Sequence, residues 1–257
     1  MRHRVRNVLK MLGLYGVARQ IVDGHRRRQK VAKMRAFYRQ FIAPNDLVFD
    51  IGANVGNYTA ILFSLGARTL SVEPQADCMA QIKARFGKQP RARFYLGGVA
   101  AQQGELELHI SNISETSSFS PEWINRLKDR PGWESHRWDT TQKVPVTTLD
   151  ALIAEYGLPT FIKIDVEGFE LSVLQGLSQP VQALSFEYSP ELPEKTAACM
   201  AYMLRLGNYE FNAVHKESFT FLLPEWTDAA GVGHLLEERA SIRRSGDVYA
   251  RLKVQGK

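Results

Sequence analysis

Short apolar runs alternate with helical segments from residue 47 to residue 206, and this alternation restricts the possible folds more than any other feature. The runs Leu47–Ile51, Thr69–Glu73, Thr160–Asp165 and Ala183–Glu187 have the character of strands buried on both faces. Segments with helical periodicity separate them. Strands and helices in this order predict a doubly wound, mostly parallel α/β sheet.

The remaining strand-like segments extend this sheet. Arg93–Ala100 is predicted to be a third strand, and Glu105–Ile110 alternates apolar and polar residues as a half-buried strand does. Three segments near the end of the chain predict antiparallel strands that form an edge hairpin: Tyr209–His215, Phe219–Leu223 and Asp247–Leu252. We therefore expect one α/β domain over residues 44–257, with a polar, irregular insert over residues 112–143.

The basic residues are concentrated at the beginning of the sequence. Twelve Lys and Arg and one Asp give the first 40 residues a net charge of +11, whereas the whole chain of 257 residues carries +6. The other 217 residues are therefore mildly acidic, at −5. This asymmetry predicts a basic helical arm over residues 1–43. The arm either packs on the domain or contacts an anionic membrane surface, with a nucleic acid as the disfavoured alternative.

Composition also limits the cellular setting. The sequence contains no run of 18 apolar residues, so it predicts no membrane-spanning helix. The two cysteines, Cys78 and Cys199, are far apart and fit no metal-binding spacing. We expect reduced thiols in a cytoplasmic protein, held peripherally at the inner membrane surface by its arm.

Four of the predicted strands carry an acidic residue at their carboxyl ends: Asp50, Glu73, Asp165 and Glu187. In open α/β sheets, ligands bind at this edge, near the point where the strand order reverses. Several acids on one rim predict an acidic pocket, which suits a ligand with a positive centre.

The turn after the first strand narrows the choice of ligand. Gly52 permits a tight turn and close approach of a ligand, and Glu73 follows 21 residues later, where an acid commonly binds ribose hydroxyls. Asn54 and Asn57 occupy the second and third glycine positions of a dinucleotide fingerprint, which disfavours a nicotinamide cofactor. The phosphate-binding Gly-Lys-Ser/Thr sequence is also missing. S-adenosylmethionine, with its adenosine, amino-acid end and sulfonium, fits this pattern better.

Four motifs together give the chain a specific resemblance. FDIGANVGNYT, SVEP, PVTTLDAL and IKIDVEGFELSVLQG resemble the FkbM-type family of S-adenosylmethionine-dependent methyltransferases. The resemblance implies a class I methyltransferase with a seven-stranded Rossmann-like sheet, and O-methylation of a sugar or related natural product. It also implies cofactor-binding residues at the methionine end, the ribose and the adenine, in that order: Asp50, Gly52, Asn54, Gly56 and Asn57; Glu73; and Gly98 and Val99.

Methylation of a hydroxyl requires removal of its proton, and the candidate catalytic residues are Asp165, Glu167 and Glu187. Three roles remain open for them. One carboxylate acts as the general base, or Asp165 and Glu187 bind a divalent metal such as Mg²⁺, or the acids only order the loop. His215 is a weaker candidate for the base.

The insert over residues 112–143 is expected to form a lid over the acceptor, which is a small molecule or a glycan. Trp123, Trp133 and Trp138 suit stacking on a sugar ring, or alternatively pin the insert to the domain. Two rival functions remain: an RNA methyltransferase that uses the basic arm, and a non-catalytic module that binds S-adenosylmethionine. Val166-Glu167-Gly168 stands where amino-group methylases often carry Pro-Pro-aromatic, which disfavours a nucleic-acid amino target.

Overall fold

The computed structural model describes residues 15–216, 218–239 and 245–253. Within these ranges, seven strands form the main sheet: β1 (Leu47–Ile51), β2 (Arg68–Glu73), β3 (Ala92–Leu96), β7 (Phe161–Ile164), β8 (Ala183–Tyr188), β9 (Tyr209–His215) and β10 (Gly246–Leu252). Their order is β3-β2-β1-β7-β8-β10-β9. β3, β2, β1, β7 and β8 pair in parallel, and β10 pairs antiparallel with both β8 and β9. This confirms the predicted doubly wound sheet with an antiparallel edge.

A smaller sheet accounts for the rest of the predicted strand region. The segment expected as one strand over Arg93–Ala100 divides, because β4 (Gly98–Val99) leaves β3 and pairs with β6 (Thr140–Thr147). β5 (Gly104–Ile110) lies on the other side of β6, antiparallel to it. The insert therefore begins after β5 and ends within β6.

Helices cover both faces of the main sheet. They are α1 (Tyr15–Tyr38), α2 (Asn57–Ser64), α3 (Ala76–Phe86), α4 (Pro121–Leu127), α5 (Leu149–Tyr156), α6 (Glu170–Gln175), α7 (Pro193–Leu206) and α8 (Ala229–Glu238). Phe49, Ile162, Phe186 and Val248 on the central strands are fully buried. Strands covered on both sides need continuous apolar runs, which is why the sequence pattern was so clear there.

The end of the chain corrects two sequence-based expectations. Phe219–Leu223 is not a strand: within it, Phe221 makes a single isolated bridge to Val214. The following segment contains α8, which the sequence analysis missed because Gly231 and Gly233 weaken its helical pattern. Tertiary packing of Val232 compensates for this weakness, as does an N-cap in which the Gly231 N–H donates to the Asp228 side chain.

The basic arm joins the domain only at its end. Met34, Phe37 and Tyr38 are buried against the sheet, whereas residues 24, 25 and 27–33 are exposed on every side of α1. The part of the arm before residue 15 lies outside the described residues. Among the residues that the structure describes, no helix is long and apolar enough to cross a membrane.

Candidate active site

The turn after β1 brings two predicted site regions into contact. Gly52 has a positive φ of 80°, and a Cβ at this position would overlap the backbone carbonyl oxygen of Asp165. Only glycine allows this approach, since other residues would be strained and would displace the end of β7. The conformation therefore places the predicted cofactor turn directly against Asp165.

Glu73, at the end of β2, is held by the neighbouring backbone. Its carboxylate accepts hydrogen bonds from the N–H groups of Asn54 at 2.8 Å and Gln75 at 2.9 Å. Burial raises the pKa of Glu73 to about 7, and these hydrogen bonds oppose that shift. The Gln75 side-chain amide also donates to Oε1, at 3.4 Å. A carboxylate offers about four acceptor sites, so one remains, on Oε2, for a ribose hydroxyl.

Glu73 lies in the first of two cavities, which we call the cofactor cavity. Its walls come from the β1 turn, the end of β2, β4, the insert and the end of β7: Ile51, Gly52, Asn54, Val72, Glu73, Pro74, Gln75, Gly97, Gly98, Val99, Leu108, Ser114, Glu115, Ser117, Phe119, Asp165, Val166 and Glu167. Gly98 and Val99, which the family resemblance assigns to the adenine, line this cavity, and their contact with adenine stays a prediction.

Part of the insert closes over this cavity, and we call residues 114–119 the strap. The Asn54 side-chain amide donates to Ser114 Oγ at 3.2 Å, and the Gln75 side-chain amide donates to the Ser114 carbonyl at 3.0 Å. Ser117 Oγ donates to Gln75 Oε1 at 3.3 Å. The insert therefore covers the predicted cofactor site rather than only the acceptor.

The second cavity, the acceptor cavity, has a volume of about 390 Å³. It is lined by residues of the β1 turn, the strap, the ends of β7, β8 and β9, and the start of β10: Gly52, Ala53, Asn54, Asn57, Tyr58, Glu115, Asp165, Glu167, Glu187, Lys216, Ser245, Gly246 and Asp247. It shares five residues with the cofactor cavity: Gly52, Asn54, Glu115, Asp165 and Glu167. The two cavities therefore meet at the candidate catalytic carboxylates.

Asp165, Glu167 and Glu187 form one acid cluster. One ligand oxygen from each lies within 4.8 Å of the others, close enough to ligate one cation. Burial raises the pKa of Glu167 well above its usual value, and the charges of Asp165 and Glu170 add to this shift. The pKa of Glu187 is raised by burial and then by Glu167 and Asp165.

The backbone directs Glu167 into this cluster. Its φ of 54° is left-handed, which is uncommon for a residue other than glycine. The Ser118 hydroxyl donates to the Glu167 carbonyl oxygen at 2.6 Å. Gly168 follows, and its N–H donates to the Glu170 carboxylate at the start of α6. Strain at a residue that lines a cavity is typical of functional sites.

Lys163 is one of the site residues that the sequence did not lead us to expect. It lies inside β7 at 1% exposure, with Nζ 2.5 Å from Asp165 Oδ2 and 4.1 Å from the centre of the Tyr58 ring. Burial lowers the pKa of Lys163, but the carboxylates of Asp165, Asp247 and Asp50 outweigh that effect and raise it. The sequence did contain an indication of this residue, because Lys163 is the single charged residue in the apolar strand Phe161–Ile164.

Two predicted cofactor residues line neither cavity. Asp50 lies below the β1 turn, and its Oδ2 accepts a hydrogen bond from Thr59 Oγ1 at 2.6 Å. Gly56 is the N-cap of α2, with a φ of 77°. Asp50 therefore anchors α2 to β1 through Thr59, and Gly56 forms the start of that helix. Asn57, by contrast, lines the acceptor cavity.

The aromatic candidates and His215 are also outside the acceptor cavity. Trp123 is 3% exposed and packs with Trp133 and Trp138, so it is not accessible to a sugar. Trp138 Nε1 donates to the Thr116 carbonyl at 2.8 Å. These contacts correspond to the alternative in which the tryptophans pin the insert to the domain. His215 lies at the end of β9, away from the acid cluster.

Comparison with known proteins identifies the family. The FkbM methyltransferase domain matches residues 50–217, which is more than half of the chain. A curated hexuronic acid methyltransferase, AglP of Haloferax volcanii, is 24% identical over 147 residues. That match spans 55% of this chain and 54% of the relative.

Solved structures of several methyltransferases align with this chain at low sequence identity. A TehB-like S-adenosylmethionine-dependent methyltransferase from Corynebacterium glutamicum aligns over 92% of this chain and 99% of its own, with 12% identity and a TM-score of 0.45. A putative RNA methyltransferase from Pyrococcus horikoshii aligns over 87% of this chain and 82% of its own, with 8% identity and a TM-score of 0.43.

Proposed function

The chain belongs to the FkbM family of S-adenosylmethionine-dependent methyltransferases, and we propose that it methylates a hydroxyl of a sugar. The sugar is free, part of a glycolipid or polysaccharide, or part of a natural product. One observation carries this proposal: the cofactor and acceptor cavities meet at the acid cluster. A methyl donor in one cavity and a hydroxyl in the other would face each other beside carboxylates.

The residues present fit the cofactor. Gly52 lets the β1 turn pack directly against Asp165 and so shapes the cavity wall, and Glu73 presents a carboxylate with unused acceptor capacity. The amino end of α2 lies beside the same turn and favours a carboxylate group such as that of methionine. S-adenosylmethionine supplies an electrophilic methyl group at this junction.

The acid cluster supplies the proton acceptor. With S-adenosylmethionine bound, an acceptor hydroxyl would attack the methyl carbon as the carbon–sulfur bond breaks, and a carboxylate of the cluster would accept the hydroxyl proton. Glu167 and Glu187 suit this role because burial and mutual repulsion raise their pKa values toward the working range of a general base. Lys163 holds Asp165 in place beside them.

A divalent cation such as Mg²⁺ is the second way to activate the hydroxyl. Asp165, Glu167 and Glu187 offer the hard oxygen ligands that this ion prefers. A bound cation would lower the pKa of the acceptor hydroxyl, and the same three residues would then act as ligands. Chelation separates this mechanism from direct base catalysis.

Two features support a sugar over RNA. Glu115, Asp165, Glu167, Glu187 and Asp247 line the acceptor cavity. Such a surface accepts hydrogen bonds from a neutral polyol but repels the phosphates of a nucleic acid, and by the same charge it favours a neutral sugar over a hexuronate. The Haloferax volcanii relative is a hexuronic acid methyltransferase by name. The exposed basic part of α1 is the feature that favours RNA, and we include RNA in the test.

The test is methyl transfer from labelled S-adenosylmethionine to a panel of hexuronic acid glycosides, neutral glycosides and total RNA, with products analysed by mass spectrometry. We expect a methyl ether on a glycoside and no label in RNA. Glu167→Gln or Glu187→Gln should lower turnover by about 10²–10⁴ with little change in cofactor affinity if that residue is the base. Glu105→Gln, an exposed carboxylate in β5, is the matched control.

Chelator is added in a parallel series. Loss of wild-type activity that Mg²⁺ restores would assign the cluster to metal binding. Undiminished activity in both variants and in Asp165→Asn, with chelator present, would show that the cluster does not act on the hydroxyl. Cofactor binding without transfer to any acceptor would favour a non-catalytic module.

A further inference from the structure

The turn between β7 and α6 carries the candidate base Glu167, and we call residues 165–169 the acid loop. Glu167 has a φ of 54° and Gly168 a φ of 87°, so two consecutive residues are left-handed. A residue with a Cβ adopts this conformation only at an energetic cost, and it persists where surrounding contacts impose it. Residues 165–169 belong to no helix or strand, so their buried backbone groups need other partners.

The Glu170 side chain is the partner of two N–H groups in the acid loop. Glu170 is the first residue of α6 and is 6% exposed. Its Oε1 accepts hydrogen bonds from the Val166 N–H at 3.3 Å and from the Gly168 N–H at 3.1 Å. Since these amides come one residue before and one residue after Glu167, a single oxygen holds the backbone on both sides of Glu167. Hydrogen bonds to an ionised carboxylate are about twice as strong as those between neutral groups.

The insert and α7 hold the carbonyl groups of the acid loop. The Ser118 hydroxyl donates to the Glu167 carbonyl oxygen at 2.6 Å, and Lys195 Nζ donates to the Gly168 carbonyl oxygen at 3.5 Å. The Trp123 side chain packs against Gly168, where a Cβ would lie 2.5 Å from it. Together with Glu170, these side chains fix both the carbonyl and the N–H groups around Glu167.

Glu170 would not touch the reacting groups itself. It lines neither the cofactor cavity nor the acceptor cavity, whereas Glu167 lines both. Burial of a carboxylate is unfavourable unless hydrogen bonds compensate for the lost water. The acid loop supplies this compensation for Glu170, so the position of the buried carboxylate and the conformation of the acid loop depend on each other.

We propose that Glu170 is a positioning residue for methyl transfer, which holds Glu167 in its left-handed conformation and so keeps the Glu167 carboxylate beside Asp165 and Glu187. This inference rests on the proposed function, and it applies whether Glu167 is the general base or a metal ligand. Without the Glu170 oxygen, two N–H groups would lose their acceptor, and the acid loop would be free to relax Glu167 to a negative φ. That change would redirect the Glu167 side chain relative to the acid cluster.

Two substitutions at Glu170 separate its hydrogen bonds from its charge. Glu170→Gln and Glu170→Met both remove the charge and keep an unbranched side chain of similar length, but only glutamine keeps an oxygen that can accept the two N–H groups. Glu194→Met is the matched control, since Glu194 is an exposed carboxylate in the first turn of α7. The assay measures methyl transfer to whichever acceptor of the panel above the wild type methylates, and calorimetry measures S-adenosylhomocysteine binding as a check of the fold.

We expect Glu170→Met to lower kcat about 10²-fold, the effect of misplacing a catalytic group by about 1 Å, with little change in KM or in S-adenosylhomocysteine affinity. Glu170→Gln should stay within about 10-fold of the wild type, because it keeps weaker, neutral hydrogen bonds. Glu194→Met should match the wild type. If Glu170 acts through Glu167, adding Glu170→Met to Glu167→Gln should cause no further loss of turnover, because the carboxylate that Glu170 positions is already removed.

Three results would overturn the positioning role and leave the sugar acceptor standing: equal activity of Glu170→Met and Glu170→Gln, a loss beyond about 10-fold in Glu170→Gln with S-adenosylhomocysteine still bound, or a full further loss in the double variant. If the wild type methylates no acceptor of the panel, the proposed function alone is overturned, and hydrogen exchange tests the contact of Glu170 with the acid loop. The Val166 and Gly168 amides should exchange about 10-fold to 100-fold faster in Glu170→Met than in Glu170→Gln. Equal exchange in the two variants would overturn the role of Glu170 by itself.

Discussion

Replacement of Lys163 by methionine should destabilise the protein in a pH-dependent way. Lys163 is 1% exposed, and its ammonium lies 2.5 Å from Asp165 Oδ2 with Asp50 and Asp247 nearby. Methionine has an unbranched side chain of similar length, but it leaves these carboxylates without their counter-charge. Removal of one partner from a buried ion pair costs about 3–5 kcal/mol. We therefore expect unfolding of Lys163→Met at a urea concentration roughly 1–2 M lower than for the wild type at pH 8.

The sign of the pH dependence follows from the carboxylates. Burial already raises the pKa of Asp50, and loss of Lys163 removes a charge that lowers it, so the destabilisation shrinks when this carboxylate is protonated and grows as the pH increases. The deficit of Lys163→Met should therefore be smaller at pH 5 than at pH 8. Asp165→Asn in the Lys163→Met background should recover part of the loss, and Lys143→Met, in an exposed pair with Glu105, should change little.

Urea denaturation followed by tryptophan fluorescence at both pH values measures these differences. If Lys163→Met loses less than about 1 kcal/mol of unfolding free energy at pH 8, the buried-pair explanation is wrong, because a loss of that size is expected for an exposed ion pair. A deficit equal at pH 5 and pH 8 would show that lost packing, rather than uncompensated charge, is responsible.

Three further predictions concern the cofactor and the arm. Burial raises the pKa of Glu73 to about 7, so the affinity for S-adenosylhomocysteine should rise between pH 6 and pH 8 as the Glu73 carboxylate ionises. In calorimetry, Glu73→Gln should bind S-adenosylhomocysteine more weakly, with an affinity that does not change over this pH range. Ser114→Ala should accelerate cofactor release in stopped-flow measurements, since it removes the hydroxyl that Asn54 holds at 3.2 Å, and unchanged release would show that the strap does not gate the cavity. We also propose that the arm binds anionic membranes. Replacing Arg27, Arg28 and Lys33 together by Gln should weaken the free energy of binding to phosphatidylglycerol vesicles by about 3 kcal/mol, as measured by co-sedimentation. Equal sedimentation of the variant and the wild type would contradict this.

The acids at the strand ends show how far the sequence could specify the site. Strand positions were predictable from apolar runs, and Glu73, Asp165 and Glu187 do line the cavities. Asp50 does not, because it precedes the last residue of β1 and pairs in register with Lys163 rather than with Asp165. A shift of two residues along a strand moves a side chain from the rim into the core, and single-sequence patterns do not define strand ends that finely.

The same limit explains why Glu115 and the strap were not identified. Residues 112–143 have no periodic pattern, so their position depends on contacts between residues far apart in sequence, such as Asn54 with Ser114. Polarity and three tryptophans predicted an insert beside the site. From the sequence, it stayed open whether the tryptophans stack on a sugar or pin the insert to the domain. The sequence did not indicate that the serines face the cofactor cavity.

The insert physically connects the two halves of the proposed reaction. Ser114 and Ser117 close over the cofactor cavity through Asn54 and Gln75, while Ser118, one residue further on, donates to the carbonyl of Glu167. That bond helps to hold Glu167 at its left-handed φ of 54°, with its carboxylate in the cluster. A strap that moved to admit the cofactor would therefore also release the backbone of Glu167, and its closure would restore both the covered cofactor cavity and the position of the candidate base. Such a link would set the acid cluster for proton removal when the strap is closed.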